Sequence, residues 1–238
     1  MYRFILVIIL LALFLFAILN NDMYLFPGIR RATDGKNISI ENNRSSGRIT
    51  LFFPGNTSDI LEFKERFRDL KEKNIIIINY RIQKCKFGSY RHALKNALLA
   101  YRYASQEYSH IHVVNYSIGN GIFSDILATI YCYLTPPQTI TILGGICNIK
   151  DVIHYRFGVF SYLFYWVLSN KLNTVENFAR YIPKDTPILI IHGEKDKIVP
   201  VELALQMHKD LLYKGKNISI QVQPDYGHNE FRHEDYIV

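Results

Sequence analysis

From Arg48 onward, short apolar runs alternate with stretches whose apolar residues fall at helical spacing. Ile49-Thr50-Leu51-Phe52-Phe53 predicts a strand that Pro54-Gly55 stops, and Thr57 or Ser58 caps a following helix. That helix runs to about Lys73, with Ile60, Leu61, Phe63, Phe67 and Leu70 on one face. Ile75 to Tyr80 reads as a continuous apolar strand. Ser89 then caps a helix carrying Ala93, Leu94, Ala97, Leu98 and Tyr101. The run Ile111-His112-Val113-Val114 predicts a strand leading into Ser117, followed by a helix to about Tyr133 and a strand from Thr139 to Leu143. Beyond an irregular aromatic stretch come a strand from Pro187 to Ile191, a helix from Pro200 to Tyr213 and a strand from Ile218 to Gln223. Strands that are apolar throughout, with helices between them, predict an α/β fold whose mainly parallel, doubly wound sheet is covered on both faces.

Two segments break this alternation. Phe4 to Leu19 is uninterrupted apolar sequence after Arg3. As a helix it would be about 24 Å long, against a hydrocarbon core of roughly 30 Å. Residues 1–20 are therefore expected to be an uncleaved signal anchor or transmembrane helix, with a cleaved secretion signal as the alternative. Arg3 and the amino terminus would keep that end cytoplasmic and send the domain across, giving a single-pass protein on the extracytoplasmic side; Arg30 and Arg31 pull the other way. Residues 21–47 read as a linker with a possible edge strand at Ile38-Ser39-Ile40, and 48–238 as the folded domain. The second break lies within 148–186, where Tyr155, Phe157, Phe160, Tyr162, Phe164, Tyr165 and Trp166 crowd together.

Composition narrows the possibilities. A chain of 238 residues that is 49% hydrophobic can bury one substantial core. The net charge of +7 does not form a basic stripe, because acids and bases interleave, as in Lys64-Glu65-Arg66-Phe67-Arg68-Asp69. That pattern is the wet face of a helix, and no nucleic-acid partner is expected. Cys85, Cys132 and Cys147 are too few and too scattered for a disulfide framework, and no CxxC pair exists for zinc. His110 and His112 share a strand face without an evident acidic partner, so a structural role is read there and no metal or cofactor is expected.

In parallel sheets chemistry gathers just beyond the carboxyl ends of the strands. Here those ends carry Pro54-Gly55-Asn56-Thr57, Asn115-Tyr116-Ser117-Ile118-Gly119, His192-Gly193-Glu194-Lys195-Asp196-Lys197-Ile198-Val199-Pro200 and Gly227-His228-Asn229-Glu230. A hydroxyl, a carboxylate and an imidazole follow one another, each past its own strand. The serine sits where a strand turns sharply into a helix, a strained turn that needs small neighbours. Gly119 supplies one. Asn115 stands where glycine is usual and tolerates unusual backbone angles.

The ordered loops, an HGxxDxxVP acid loop and a GHxE histidine loop, resemble the α/β-hydrolase superfamily, serine hydrolase branch. Asn79-Tyr80-Arg81 is similar to the aspartate-tyrosine-arginine motif of membrane-anchored members with a short lid. The resemblance implies Ser117 as nucleophile, His228 as its base and Asp196 as the group that orients the imidazole. It also implies an oxyanion hole made by the backbone N–H groups of Ile118 and Asn56. Glu194 and His233 are the neighbouring rivals for acid and base, and the loop patterns favour Asp196 and His228. In this superfamily a lid is inserted between the sixth strand and the acid loop. The aromatic segment, with Tyr155, Phe160 and Trp166, is therefore expected to bind an acyl chain, touch the bilayer or simply pack the lid onto the core. The expected reaction is hydrolysis of an acyl ester or thioester, lipid-like or small, through an acyl-serine. The alternative is a catalytically inactive binding protein of the same fold.

Overall fold

The computed structural model describes residues 36–41, 46–55, 61, 63, 64, 67, 74–80, 89–162, 172–231 and 235. The apolar run at 4–19, Asn56, His233 and Trp166 lie outside these, as do the side chains of residues 41, 157 and 160. Among the described residues no helix is long and apolar enough to cross a membrane.

Among the described residues seven strands form one sheet: β1 (Ile38–Glu41), β2 (Arg48–Phe53), β3 (Asn74–Ile77), β4 (His110–Tyr116), β5 (Thr139–Leu143), β6 (Ile188–Gly193) and β7 (Ile218–Gln223). Their order across the sheet is β1-β3-β2-β4-β5-β6-β7. Only β1, against β3, is antiparallel; the other neighbours are parallel. The chain moves outward from β2 to β3 and then returns past β2 to β4. The carboxyl ends of β2 and β4 thus flank the crevice where ligands bind in such sheets.

The near-continuous apolar strands are explained by burial on both faces. Leu51, Phe53, Ile111, Val113, Ile142 and Ile190 point toward the larger cluster, built with α1 (Tyr90–Glu107), α2 (Gly119–Tyr133), α4 (Thr174–Tyr181) and α5 (Val201–Tyr213). Phe52, Ile75, Ile77, Val114 and Leu143 point the opposite way, toward Phe63, Phe67, Tyr226 and Phe231. In α1 the buried positions include Ala93, Ala97, Ala100 and Ala104, small residues that let the helix lie close to the sheet.

The structure departs from the sequence expectation at three places. The strand expected to reach Tyr80 ends at Ile77, with one further bond from the Ile78 N–H to Phe52 O (2.9 Å). Asn79 turns aside to donate from its side chain to Lys36 O (3.0 Å) and from its backbone to Asn37 Oδ1 (2.9 Å). Ser89 occupies the cap position of α1 but makes no side-chain cap bond; its N–H donates to Tyr80 O at 2.9 Å instead. The stretch read as irregular contains helices. Asn148 caps α3 (Ile149–Phe157) by accepting from the Asp151 N–H at 2.8 Å, and Gly158, at φ 54°, ends it. One 3-10 turn, Gly158–Phe160, follows. Further on, α4 buries Phe178 edge-on against Phe123 of α2, their ring centres 5.8 Å apart.

Candidate active site

At the carboxyl end of β4 the chain reverses direction through Ser117, whose φ is +54°. A non-glycine residue in that region carries strain of order 1–3 kcal/mol and persists only where its surroundings impose it. Here the Ser117 N–H donates to Leu143 O at 3.0 Å, while its carbonyl accepts from the N–H of Asn120 at 3.2 Å. Gly119 has no room for a side chain, since a Cβ would lie 2.2 Å from Phe53 O. Asn115, by contrast, needs no special backbone. It is an ordinary strand residue in register with Phe53 and Ile142, and only Ser117 and Leu172 among the described non-glycine residues have positive φ. The Asn115 side chain is fully buried with both amide atoms unpartnered.

The acid loop leaves β6 through Gly193, which presses against the histidine loop. A Cβ there would lie 2.2 Å from Tyr226 O, and the Lys195 N–H donates to that same oxygen at 3.0 Å. Asp196 Oδ1 accepts from the N–H groups of Ile198 and Val199, both at 2.8 Å, leaving Oδ2 directed at His228 Nδ1, 2.7 Å away. Burial alone would raise the Asp196 carboxyl. The hydrogen bond and positive charge of His228, with the two backbone donors, outweigh it and hold the group below the usual carboxylate range.

His228 Nε2 lies 2.9 Å from Ser117 Oγ. With Nδ1–H donating to the carboxylate, Nε2 is left as the acceptor for the serine hydroxyl, the tautomer a general base needs. The Tyr116 hydroxyl holds the loop from below, reaching the His228 carbonyl at 3.0 Å and Asn229 Oδ1 at 2.5 Å. Gly144, at φ +52°, lies beside the loop, where a Cβ would come 3.3 Å from the Phe231 ring.

The three residues singled out from the sequence thus meet in one hydrogen-bonded chain, each no more than 9% exposed. Ile118 stands at the start of α2, and its N–H has no partner among the described residues. Asn56 and the rival base His233 lie outside them. Glu194 is exposed, and its N–H donates to Gln223 O (2.9 Å) while its neighbour Asp196 meets the imidazole. Of the lid aromatics, Tyr155 is 63% exposed, while Trp166 and the Phe160 side chain are outside the description. His112 is hydrogen-bonded to Thr139 Oγ1 at 2.5 Å. Cys147 is buried, its thiol donating to Leu203 O and pushed up to about 12 chiefly by burial. Among the described residues no group of three His, Cys, Asp or Glu could hold a metal ion. Sequence reasoning missed the supports Tyr116, Gly193 and His192. Of these, His192 and Gly193 were visible as the first two positions of the acid-loop pattern.

Residues 162–237 match the prolyl oligopeptidase family, a span that holds both the acid and the histidine loops. Among curated proteins, none matches the chain. Solved structures resemble it over most of its length. Est1E from Butyrivibrio proteoclasticus, with ferulic acid bound, has a TM-score of 0.59 at 14% identity, covering 84% of this chain and 89% of its own. An alpha-beta hydrolase from Vibrio vulnificus has a TM-score of 0.63 at 19% identity, covering 76% and 68%. The Pyrococcus furiosus esterase Pf2001 has 0.57 at 14%, covering 82% and 84%. At these identities the likeness establishes the fold, which is the α/β-hydrolase fold.

Proposed function

We propose that the protein is a serine hydrolase that cleaves an acyl ester or thioester through an acyl-serine intermediate. The observation that carries this reading is the unbroken chain from Ser117 Oγ through His228 to Asp196, at 2.9 and 2.7 Å. His228 Nε2 takes the hydroxyl proton as Oγ bonds to the substrate carbonyl carbon. The carbonyl oxygen, now negative, is held by the N–H of Ile118, with that of Asn56 as second donor. The imidazolium gives its proton to the departing alcohol or thiol, the C–O or C–S bond breaks, and the acyl group remains on Ser117. Water then repeats the sequence and releases the acid.

The esterase neighbours fit an ester substrate, and the aromatic stretch around α3 is the candidate acyl-chain wall. Tyr155 and Tyr162 stand exposed there (63% and 56%), available to an acyl chain or a bilayer. Residues 4–19 are proposed to anchor the protein as a single pass with the domain on the extracytoplasmic side. Recovery in the carbonate-soluble fraction would remove the anchor. A fluorophosphonate probe tests the chemistry: labelling of the wild type that disappears in Ser117→Ala is expected, together with hydrolysis of short p-nitrophenyl esters. A folded wild type that neither labels nor hydrolyses esters or thioesters would instead be a binding protein of this fold.

A further inference from the structure

We propose that His192 is a positioning residue for Asp196, a neutral imidazole whose Nε2–H keeps the acid loop closed and the carboxylate turned toward His228. The inference rests on reading Ser117, His228 and Asp196 as a hydrolytic triad, and it adds a fourth side chain to the assembly.

His192 lies on β6, four residues before Asp196, and is fully buried. Its Nε2 lies 2.7 Å from the Val199 carbonyl and 3.4 Å from Asp196 Oδ2. Its Nδ1 is buried without a partner. Both acceptors are on the Nε2 side, so the single ring proton sits on Nε2. A second proton would place a charge against an unpartnered buried site, which burial opposes. Burial accordingly lowers the basicity of the imidazole, an effect that the bond to Val199, Asp196 and Glu202 of α5 oppose without reversing; the His228 ring adds to the lowering.

The leverage runs through Val199. Its carbonyl accepts from His192, while its N–H donates to Asp196 Oδ1 beside that of Ile198. Fixing Val199 from below keeps both donors on Oδ1, and Oδ2 is then the oxygen left for His228. Packing does not explain a histidine at this position. An apolar side chain would fill the space without stranding a buried nitrogen, so the Nε2 contacts are what the residue supplies.

The test compares His192→Leu, which removes the donor, with His192→Gln, whose amide can restore it. In His192→Leu, kcat/KM for a short p-nitrophenyl ester is expected to fall on the order of 100-fold, mostly in kcat. The acid limb of its pH profile should move to lower pH, because a displaced carboxylate stabilises the imidazolium less. His192→Gln should recover most of both. A proton NMR readout stands apart from catalysis: the low-field signal of the His228 Nδ1–H should shift upfield in the leucine variant and return in the glutamine variant. A folded His192→Leu with unchanged signal and profile overturns the proposal, as does equal impairment of the two variants. If neither variant folds, the wild type still decides. Ring nitrogen shifts should place the His192 proton on Nε2, and a proton on Nδ1 would sink the idea. A wild type inert toward ester and fluorophosphonate removes the hydrolase reading, while the NMR arms still judge His192.

Discussion

The acid and histidine loops and the aromatic stretch around α3 are built on opposite principles. In the loops, the groups that hold His228 against Ser117 are themselves fixed by hydrogen bonds and close packing. Asp196 takes two N–H donors, Gly193 leaves no space beside Tyr226 O, and His192 and Tyr116 close the assembly from below. Around α3, Tyr155, Val159 and Tyr162 stand exposed at 63%, 71% and 56%. On the function proposed above, the difference separates reaction from selection. Bond-breaking needs fixed distances, which strand ends provide, whereas selection needs a surface that can be altered without disturbing them.

The contrast can be broken most severely at the carboxylate. Asp196→Asn should reduce kcat by about 10⁴-fold while the protein stays folded, because an amide favours the wrong imidazole tautomer. Retained turnover in that variant would show that Asp196 does not orient the base. Gly193→Ala should push the two loops apart and cost on the order of 100-fold in kcat/KM, with about 1–3 kcal/mol of stability lost to overpacking. Matching crystal structures or melting curves against the wild type would check it.

The next effect is thermodynamic. His192 is buried neutral, with its folded-state pKa below its unfolded value. Its contribution is complete above the unfolded pKa near 6.5 and is lost as pH falls toward the folded value. Stability should therefore drop by as much as about 1.4 kcal/mol per pH unit below 6.5, and His192→Gln should flatten that slope in denaturant titrations at several pH values. Asp196 is also depressed, so its own contribution is present above its unfolded pKa, about 4, and disappears only at lower pH.

On the other side of the comparison, Tyr155→Ala combined with Tyr162→Ala should leave short-ester turnover unchanged. It should alter the preference between long and short acyl chains by about tenfold. An unchanged chain-length profile would confine these aromatics to packing. The smallest effect is expected at Asn115→Gly. Removing two unpartnered amide atoms gains about 1–3 kcal/mol, which the cavity and the freer glycine backbone largely offset. Activity should stay within about threefold; a large loss would mean the amide has a role in the elbow.

The alternation of apolar runs and the residues at strand ends made the sheet and the three-residue constellation legible, because both follow from local pattern. At Asn115, which stands where glycine is usual, the strand needs no unusual backbone angle. The positive φ belongs to Ser117, and the crowding belongs to Gly119 against Phe53, a strand distant in sequence. α3 was hidden because its core-facing stripe, Ile149, Val152 and Ile153, spans little more than one turn before the exposed Tyr155 and the aromatic run take over. The support from Tyr116 depends on which loops meet across the sheet, and spacing along the chain carries no such information.

The positions of the three residues along the chain also set an order of assembly. Asp196 and His228 are 32 residues apart, inside one β-α-β unit, whereas Ser117 and His228 are 111 apart. Short loops close at lower entropic cost and sooner than long ones. In a refolding experiment the carboxylate–imidazole pair should therefore form while the chain is still only partly collapsed. Probe labelling should return last, which makes chemical competence a clock for completion of the whole sheet.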